Sequence, residues 1–128
     1  VSLAEGLKDI ASADEALARI DAILEGYYET FINEPVVRDV WSGTQSDKAL
    51  QALDIDDSRE NGRLVAAALK HLVPEEKHAR FDAACFLLMQ IAGAAVRLAI
   101  AVERAEGDLL VAEFRRLTRN ELASFLKA

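Results

Sequence analysis

Along most of the chain the hydrophobic positions recur three and four apart, which predicts helices and no strands. Ser2 and Glu5 form a capping-box pattern ahead of Leu3, Leu7 and Ile10, which share one face of a short helix. Ser12 and Glu15 repeat the pattern. The helix they open carries a stripe of Ala16, Leu17, Ile20, Ile23, Leu24, Tyr27, Tyr28 and Phe31. It ends near Asn33, because Pro35 disfavours helical geometry at Glu34. Pro35 itself suits the first position of a short helix through Val36, Val37, Val40 and Trp41, closed by Gly43. Thr44 and Asp47 cap a further start, and the segment Leu50–Leu72 follows, stopped by Pro74. "PEEKHARF" opens an apolar helix running to about Arg104, and "EGD" (Glu106 to Asp108) is expected as the turn after it. Leu110, Phe114, Leu117, Leu122 and Phe125 mark a last helix. The pattern implies an all-α bundle of about six helices in one domain spanning residues 1–128.

The apolar seam of Leu50, Leu53, Leu64, Ala68 and Leu72 is interrupted where Asp57 and Asn61 would continue it. Two readings stand side by side. The helix breaks near Asp54, and Asp56 and Asp57 favour the N-terminus of a fresh helix. Alternatively one long helix turns Asp57 and Asn61 inward, and a buried carboxylate then needs a partner or a wet cavity. Arg38 is a candidate partner, and a bound ligand is another. Tyr27, Tyr28, Phe31 and Trp41 lie on helices expected to pack nearby, and an apolar cavity with a few polar fixtures is the usual form of a small-molecule site. The candidate ligand-binding residues are therefore Tyr27, Tyr28, Phe31, Trp41, Asp57 and Asn61.

The helix from Phe81 carries two seams. Phe81, Cys85, Leu88, Ala92, Ala95, Ala99 and Val102 form one, and Ala84, Leu87, Ile91, Ala94, Leu98 and Ala101 the other. Two seams require two sets of partners. Either the domain's own helices wrap both, or one seam is left for a second subunit in a symmetric dimer. The residues expected at that dimer face are Leu88, Ala92, Ala95, Ala99, Val102, Leu110, Phe114 and Leu117. Gln90 and Arg97 share an arc with Asp82 and Arg104 and are expected as a solvated stripe. The run Ala83–Val102 has the length of a membrane span, but Arg97 in its interior and the amphipathic flanks favour a buried helix over a crossing.

Composition narrows the function. At 128 residues, 52% hydrophobic with six Gly and two Pro, the chain supports one packed core and few turns. A net charge of −7 argues against phosphate backbones as direct partners. The lone Cys85 precludes an internal disulfide and fits a reducing compartment, and no secretory signal pattern opens the chain, so a cytoplasmic location is expected. The first residue is Val rather than Met, and the chain is expected to be a piece of a longer protein. No Gly-rich phosphate loop or nucleophile elbow is present. His71, His78 and Cys85 are evenly spaced but separated by the Pro74 break, and Asp54, Asp56 and Asp57 lack the alternating donors of a calcium loop. No catalytic residue, metal ligand or cofactor is expected.

The run "VWSGTQSDKALQALDIDDSREN" (Val40 to Asn61) and the later "AGAAVRLAIAVERAEGDLLVAEFRRL" (Ala92 to Leu117) resemble the C-terminal domain of TetR-family transcriptional regulators. The resemblance implies an N-terminal three-helix DNA-binding unit joined to a larger helical domain that senses a small molecule and forms a homodimer. The dimer face it implies is a four-helix bundle of the last two long helices from each subunit. Residues 1–11 would then be the tail of the connection from the DNA-binding unit. This chain has no helix-turn-helix, so DNA would be contacted only through that absent unit. A helical protein–protein interaction module without a ligand pocket is the alternative.

Overall fold

The structure, a computed structural model, describes residues 3–34 and 48–127. Among them it forms α1 (Leu3–Gly6), α2 (Ala13–Asn33), α3 (Lys48–Leu69), α4 (His78–Ala101) and α5 (Arg104–Phe125). Two short 3-10 turns, Lys70–Leu72 and Glu75–Lys77, join α3 to α4. The expected helix from Pro35 through Trp41, the Thr44 cap, Arg38 and Ser2 lie outside the described residues.

α1 is shorter than the Leu3–Leu7–Ile10 stripe suggests. Asp9 adopts a left-handed φ of 58°, which ends the helix, and Asp is one of the few non-glycine residues that tolerates it. Leu7 and Ile10 are still buried, so the hydrophobic pattern held where the helical geometry did not. α2 begins as expected: the Ser12 side chain accepts from the Glu15 N–H at 3.2 Å, and the Glu15 carboxylate accepts from the Ala11 N–H at 3.3 Å.

α3 is one continuous helix through Asp54 and Asp57, without a break. Its buried face is not the Leu50–Leu53–Leu64 seam. Leu53 is 58% exposed, and the face turned inward is Ser58, Gly62, Val65, Ala66 and Leu69. Small residues four apart let the neighbouring helix approach: a Cβ on Gly62 would stand 2.7 Å from the Phe86 Cα. The large leucines misdirected the pattern because the tightest contact is made by residues with almost no side chain.

α4 lies at the centre and packs on α3, α5 and α2. It ends at Ala101, and α5 starts at Arg104, so the turn falls at Val102–Glu103 instead of at "EGD". Gly107 sits in the first turns of α5, where a Cβ would meet the Ala99 carbonyl oxygen at 2.3 Å. That glycine permits close helix approach and is not a turn residue. With the turn before it, α4 is long and apolar enough to cross a membrane by length and composition, with a mean hydropathy of 1.9. Its apolar residues instead divide between an inward face (Phe81, Cys85, Ala92, Val96, Ala99) and an exposed one (Leu87, Ile91, Leu98).

The main core joins α1, α2, α3, α4 and the second half of α5, and a smaller cluster of Tyr28, Phe31, Val96, Ala99 and Val111 lies at the other end. Phe81 and Phe125 meet edge-on at 5.3 Å. The Lys127 N–H donates to the Leu72 carbonyl at 2.8 Å and ties the end of the chain to the α3–α4 corner. His71 and His78 are helix-end residues, each ring donating to a backbone carbonyl, of Ile10 at 2.8 Å and of Val73 at 2.9 Å.

Candidate functional site

α2 and α3 diverge around a cavity of about 810 Å³ floored by the middle of α4. α2 supplies Arg19, Ile20, Ile23, Leu24, Tyr27 and Thr30, and α3 supplies Asp54, Asp57, Ser58, Asn61 and Val65. Both sets follow the three-and-four spacing of one helical face. Met89, Ala92 and Gly93 close the floor. The walls are thus apolar toward the core, with polar groups grouped along α3.

Most of the charges here are already engaged. Arg19 binds the Glu15 carboxylate and the Lys8 carbonyl. Glu60 accepts from Arg63 at 2.9 Å, and that guanidinium lowers its pKa. Asp54 accepts from the Gln90 amide at 3.1 Å and faces Arg97 at 3.9 Å. Asp57 and Asn61 are the exception: both line the cavity but stay exposed to solvent instead of turning inward as the unbroken-helix reading expected. Neither has a hydrogen bond or ion pair with another described residue. Burial pushes the Tyr27 phenol up to about 12, helped by the Asp54 and Asp57 carboxylates and opposed by Arg97. Tyr27 therefore remains a neutral hydrogen-bond donor at any physiological pH.

Gln90 and Arg97 are not a solvated stripe. The Arg97 side chain is only 12% exposed and Asp54 18%, because α4 turns this arc toward α3. A cation this buried in the last turns of an apolar helix needs a carboxylate nearby, and Asp54 is one.

Of the six residues expected at a ligand site, Tyr27, Asp57 and Asn61 line the cavity. Tyr28 and Phe31 pack into the smaller core cluster between α2, α4 and α5. The Tyr28 hydroxyl donates to the Asp108 carboxylate at 2.9 Å, and Phe31 meets the Tyr27 ring edge-on at 5.0 Å. Trp41 lies outside the described residues. Arg19, Asp54 and Ser58 were not anticipated, although Asp54, Asp57, Ser58 and Asn61 share one helical face in the sequence. Met89, Ala92 and Gly93 gave no polar signal at all.

The eight residues expected at a subunit face also divide. Ala92, Ala99 and Phe114 are buried within this chain's own core and are not available to a partner. Leu88 and Ala95 pack partly against that core, Val102 and Leu110 are half-buried, and Leu117 is exposed. The exposed residues belong to the other seam: Leu87 is 60% exposed and Leu98 53%, with Ile91, Ala94 and Ala101 between and after them. Two seams were legible in the sequence, and within this chain the Phe81–Cys85–Ala92–Ala99 seam is the more buried and the Leu87–Ile91–Leu98 seam the more exposed. Within the buried seam, Ala99 lies against Gly107 of α5, and the backbone of Cys85 and its neighbour Phe86 lies against Gly62 of α3.

On the other side of α2, Arg115 of α5 makes a two-bond contact with Asp21 at 2.8 and 2.7 Å and reaches Glu25 at 3.2 Å. The Arg115 hydrogen bond holds the Asp21 carboxyl below its ordinary pKa. α2 therefore carries the cavity on one face and ionic ties to α5 on the other.

An all-helical bundle with a partly apolar cavity is the anatomy of a binding domain. Among the described residues no group of three His, Cys, Asp or Glu side chains is placed to hold a metal ion. The family model for the tetracyclin repressor-like C-terminal domain matches residues 14–126, and the chain belongs to that family. Its general role is that of a regulatory, ligand-binding domain and not of an enzyme. No curated protein matches the chain, and no solved structure does.

Proposed function

We propose that this chain is the effector-sensing and dimerising domain of a cytoplasmic TetR-like transcriptional regulator. A small molecule occupies the α2–α3 cavity, a second copy pairs through the exposed seam of α4 and the exposed leucines of α5, and DNA is contacted by an N-terminal unit outside this chain. The observation that carries the reading is the cavity itself, with its apolar floor and its polar groups concentrated on one wall. An exposed stripe of Leu87, Ile91 and Leu98, with Leu109 and Leu117 on α5, supports the self-association.

The mechanism is a population shift. Two DNA-reading heads on a two-fold dimer must match half-sites about one helical turn apart. An effector that prefers one spacing of α2 and α3 changes operator affinity by its differential affinity for the two states. α2 passes that spacing to α5 through Arg115 and through the Tyr28–Asp108 hydrogen bond.

Gly26 lines the cavity and has open space where a side chain would start, so Gly26→Trp fills the cavity without a clash at its Cβ. The neutral fluorophore Nile red is expected to bind one per chain and to lose at least about tenfold in affinity in this variant. Equal binding by both proteins would remove the cavity reading and favour the interaction module.

A further inference from the structure

The chemical class of the effector follows from the distribution of charge around the cavity, and this inference rests on the functional reading above. Four charged side chains line the cavity among the described residues: Arg19, Asp54, Asp57 and Glu60. Three are neutralised locally. Arg19 is held by Glu15, Glu60 by Arg63, and Asp54 sits against Arg97 and Gln90. What remains is the single negative charge of Asp57, with the Asn61 amide one turn further along the same face of α3. No cation among the described lining residues is left over for an acidic ligand, since Arg19 is already committed on two sides.

We propose that the effector is an amphipathic organic cation, its apolar body against Ile23, Leu24, Val65 and Met89 and its one protonated nitrogen held by Asp57 and Asn61. The chemistry matches on both sides. A protonated amine donates to a carboxylate and to an amide oxygen, and Asp57 and Asn61 offer one of each. The apolar floor excludes water from the rest of the molecule and supplies most of the affinity, while the carboxylate sets the preference among molecules of equal shape. The Tyr27 phenol feels the same field: burial raises its pKa most, Asp54 raises it and Arg97 opposes that, and Asp57 raises it further.

The test uses three fluorescent probes with one apolar body, 1-pyrenemethylamine, 1-pyrenemethanol and 1-pyrenecarboxylate, titrated at pH 7 in low salt. The amine is expected to bind about tenfold more tightly than the alcohol, with the carboxylate weakest, and the preference should shrink as salt is raised. In Asp57→Asn the amine is expected to fall to the affinity of the alcohol. In Asp57→Lys the order of amine and carboxylate should reverse. Unfolding midpoints of both variants check that the fold is retained. An alcohol that binds as well as the amine, or an amine indifferent to both substitutions, would overturn the cation assignment. It would leave the cavity intact as long as Nile red still responds to Gly26→Trp. If Nile red does not respond and no pyrene probe binds, the cavity reading falls and this inference with it.

Discussion

Gly62→Ala tests the contact that sets the cavity's geometry, the crossing of α3 over α4. An added Cβ would lie 2.7 Å from the Phe86 Cα and 2.8 Å from its N, both backbone atoms that no rotamer change can move. The helices must separate by several tenths of an ångström, and overpacking of this kind costs about 1–3 kcal/mol. The clash involves two backbone atoms, which puts the cost near the upper end. Alanine returns up to about 1 kcal/mol through helix propensity, so a net loss of about 2 kcal/mol is expected. Gly26→Ala is the matched control: it is also mid-helix, but nothing lies within 4 Å of its Cβ, so it should gain up to about 1 kcal/mol. Thermal and urea unfolding of the two variants beside the parent protein measure the difference directly. For a domain of this size the gap of about 3 kcal/mol corresponds to roughly 10 °C in Tm. If Gly62→Ala were as stable as Gly26→Ala, the close α3–α4 crossing would be wrong, and the cavity walls with it.

Two further tests concern α2. Tyr27 is raised to about 12, and Tyr28 is also raised, by burial and by its bond to Asp108. Absorbance at 295 nm should therefore show less phenolate in the folded protein than in the unfolded chain at about pH 10.5, with Tyr27 the more strongly protected. Because the folded pKa values are raised, their contribution to stability is full below about pH 10 and is lost as pH rises through the folded values. Ionisation of both tyrosines near pH 10 in the folded state would contradict the packing of α2. For the α2–α5 tie, a double-mutant cycle of Arg115→Met and Asp21→Asn should give a coupling of about 1 kcal/mol at pH 7, since both side chains are only partly buried. The folded Asp21 pKa is lowered, so the coupling is present above the ordinary value of about 3.9 and disappears as pH falls through the lower one. A coupling that persists unchanged at pH 2 would mean that the pair is not ionic.

The fold class and most element positions were legible because α2, α4 and α5 advertise themselves through large residues at helical spacing and through the Ser12–Glu15 cap. The expected inward face of α3 failed for a physical reason: Ser58, Gly62 and Ala66 carry little hydrophobic signal but line the buried face, and Gly62 makes the close approach to α4. Large leucines such as Leu53 on α3, and Leu87 and Leu98 on α4, lie exposed. Periodicity locates a helix and the existence of two seams, but the choice between seams depends on how closely a neighbour approaches. The candidate site was half legible for a related reason. Asp57 and Asn61 stood out as polar residues in an apolar register. Tyr28 and Phe31 shared a stripe with Tyr27, yet they sit on the flank of α2 that packs into the smaller cluster with α4 and α5. The pairing of Arg97 with Asp54 needed the three-dimensional crossing, because the two lie on different helices.

The central claim is that one face of this domain is reserved for a second copy and one cavity for a small molecule. Native mass spectrometry of the untagged domain at about 20 μM, beside Leu98→Glu and Gly26→Trp, tests both halves in one measurement. The expected result is a dimer for the parent protein, a monomer for Leu98→Glu, and a dimer for Gly26→Trp. 1-Pyrenemethylamine should add its mass once per chain to the parent and not to Gly26→Trp. A monomeric parent protein, or an adduct retained by Gly26→Trp, would contradict the corresponding half.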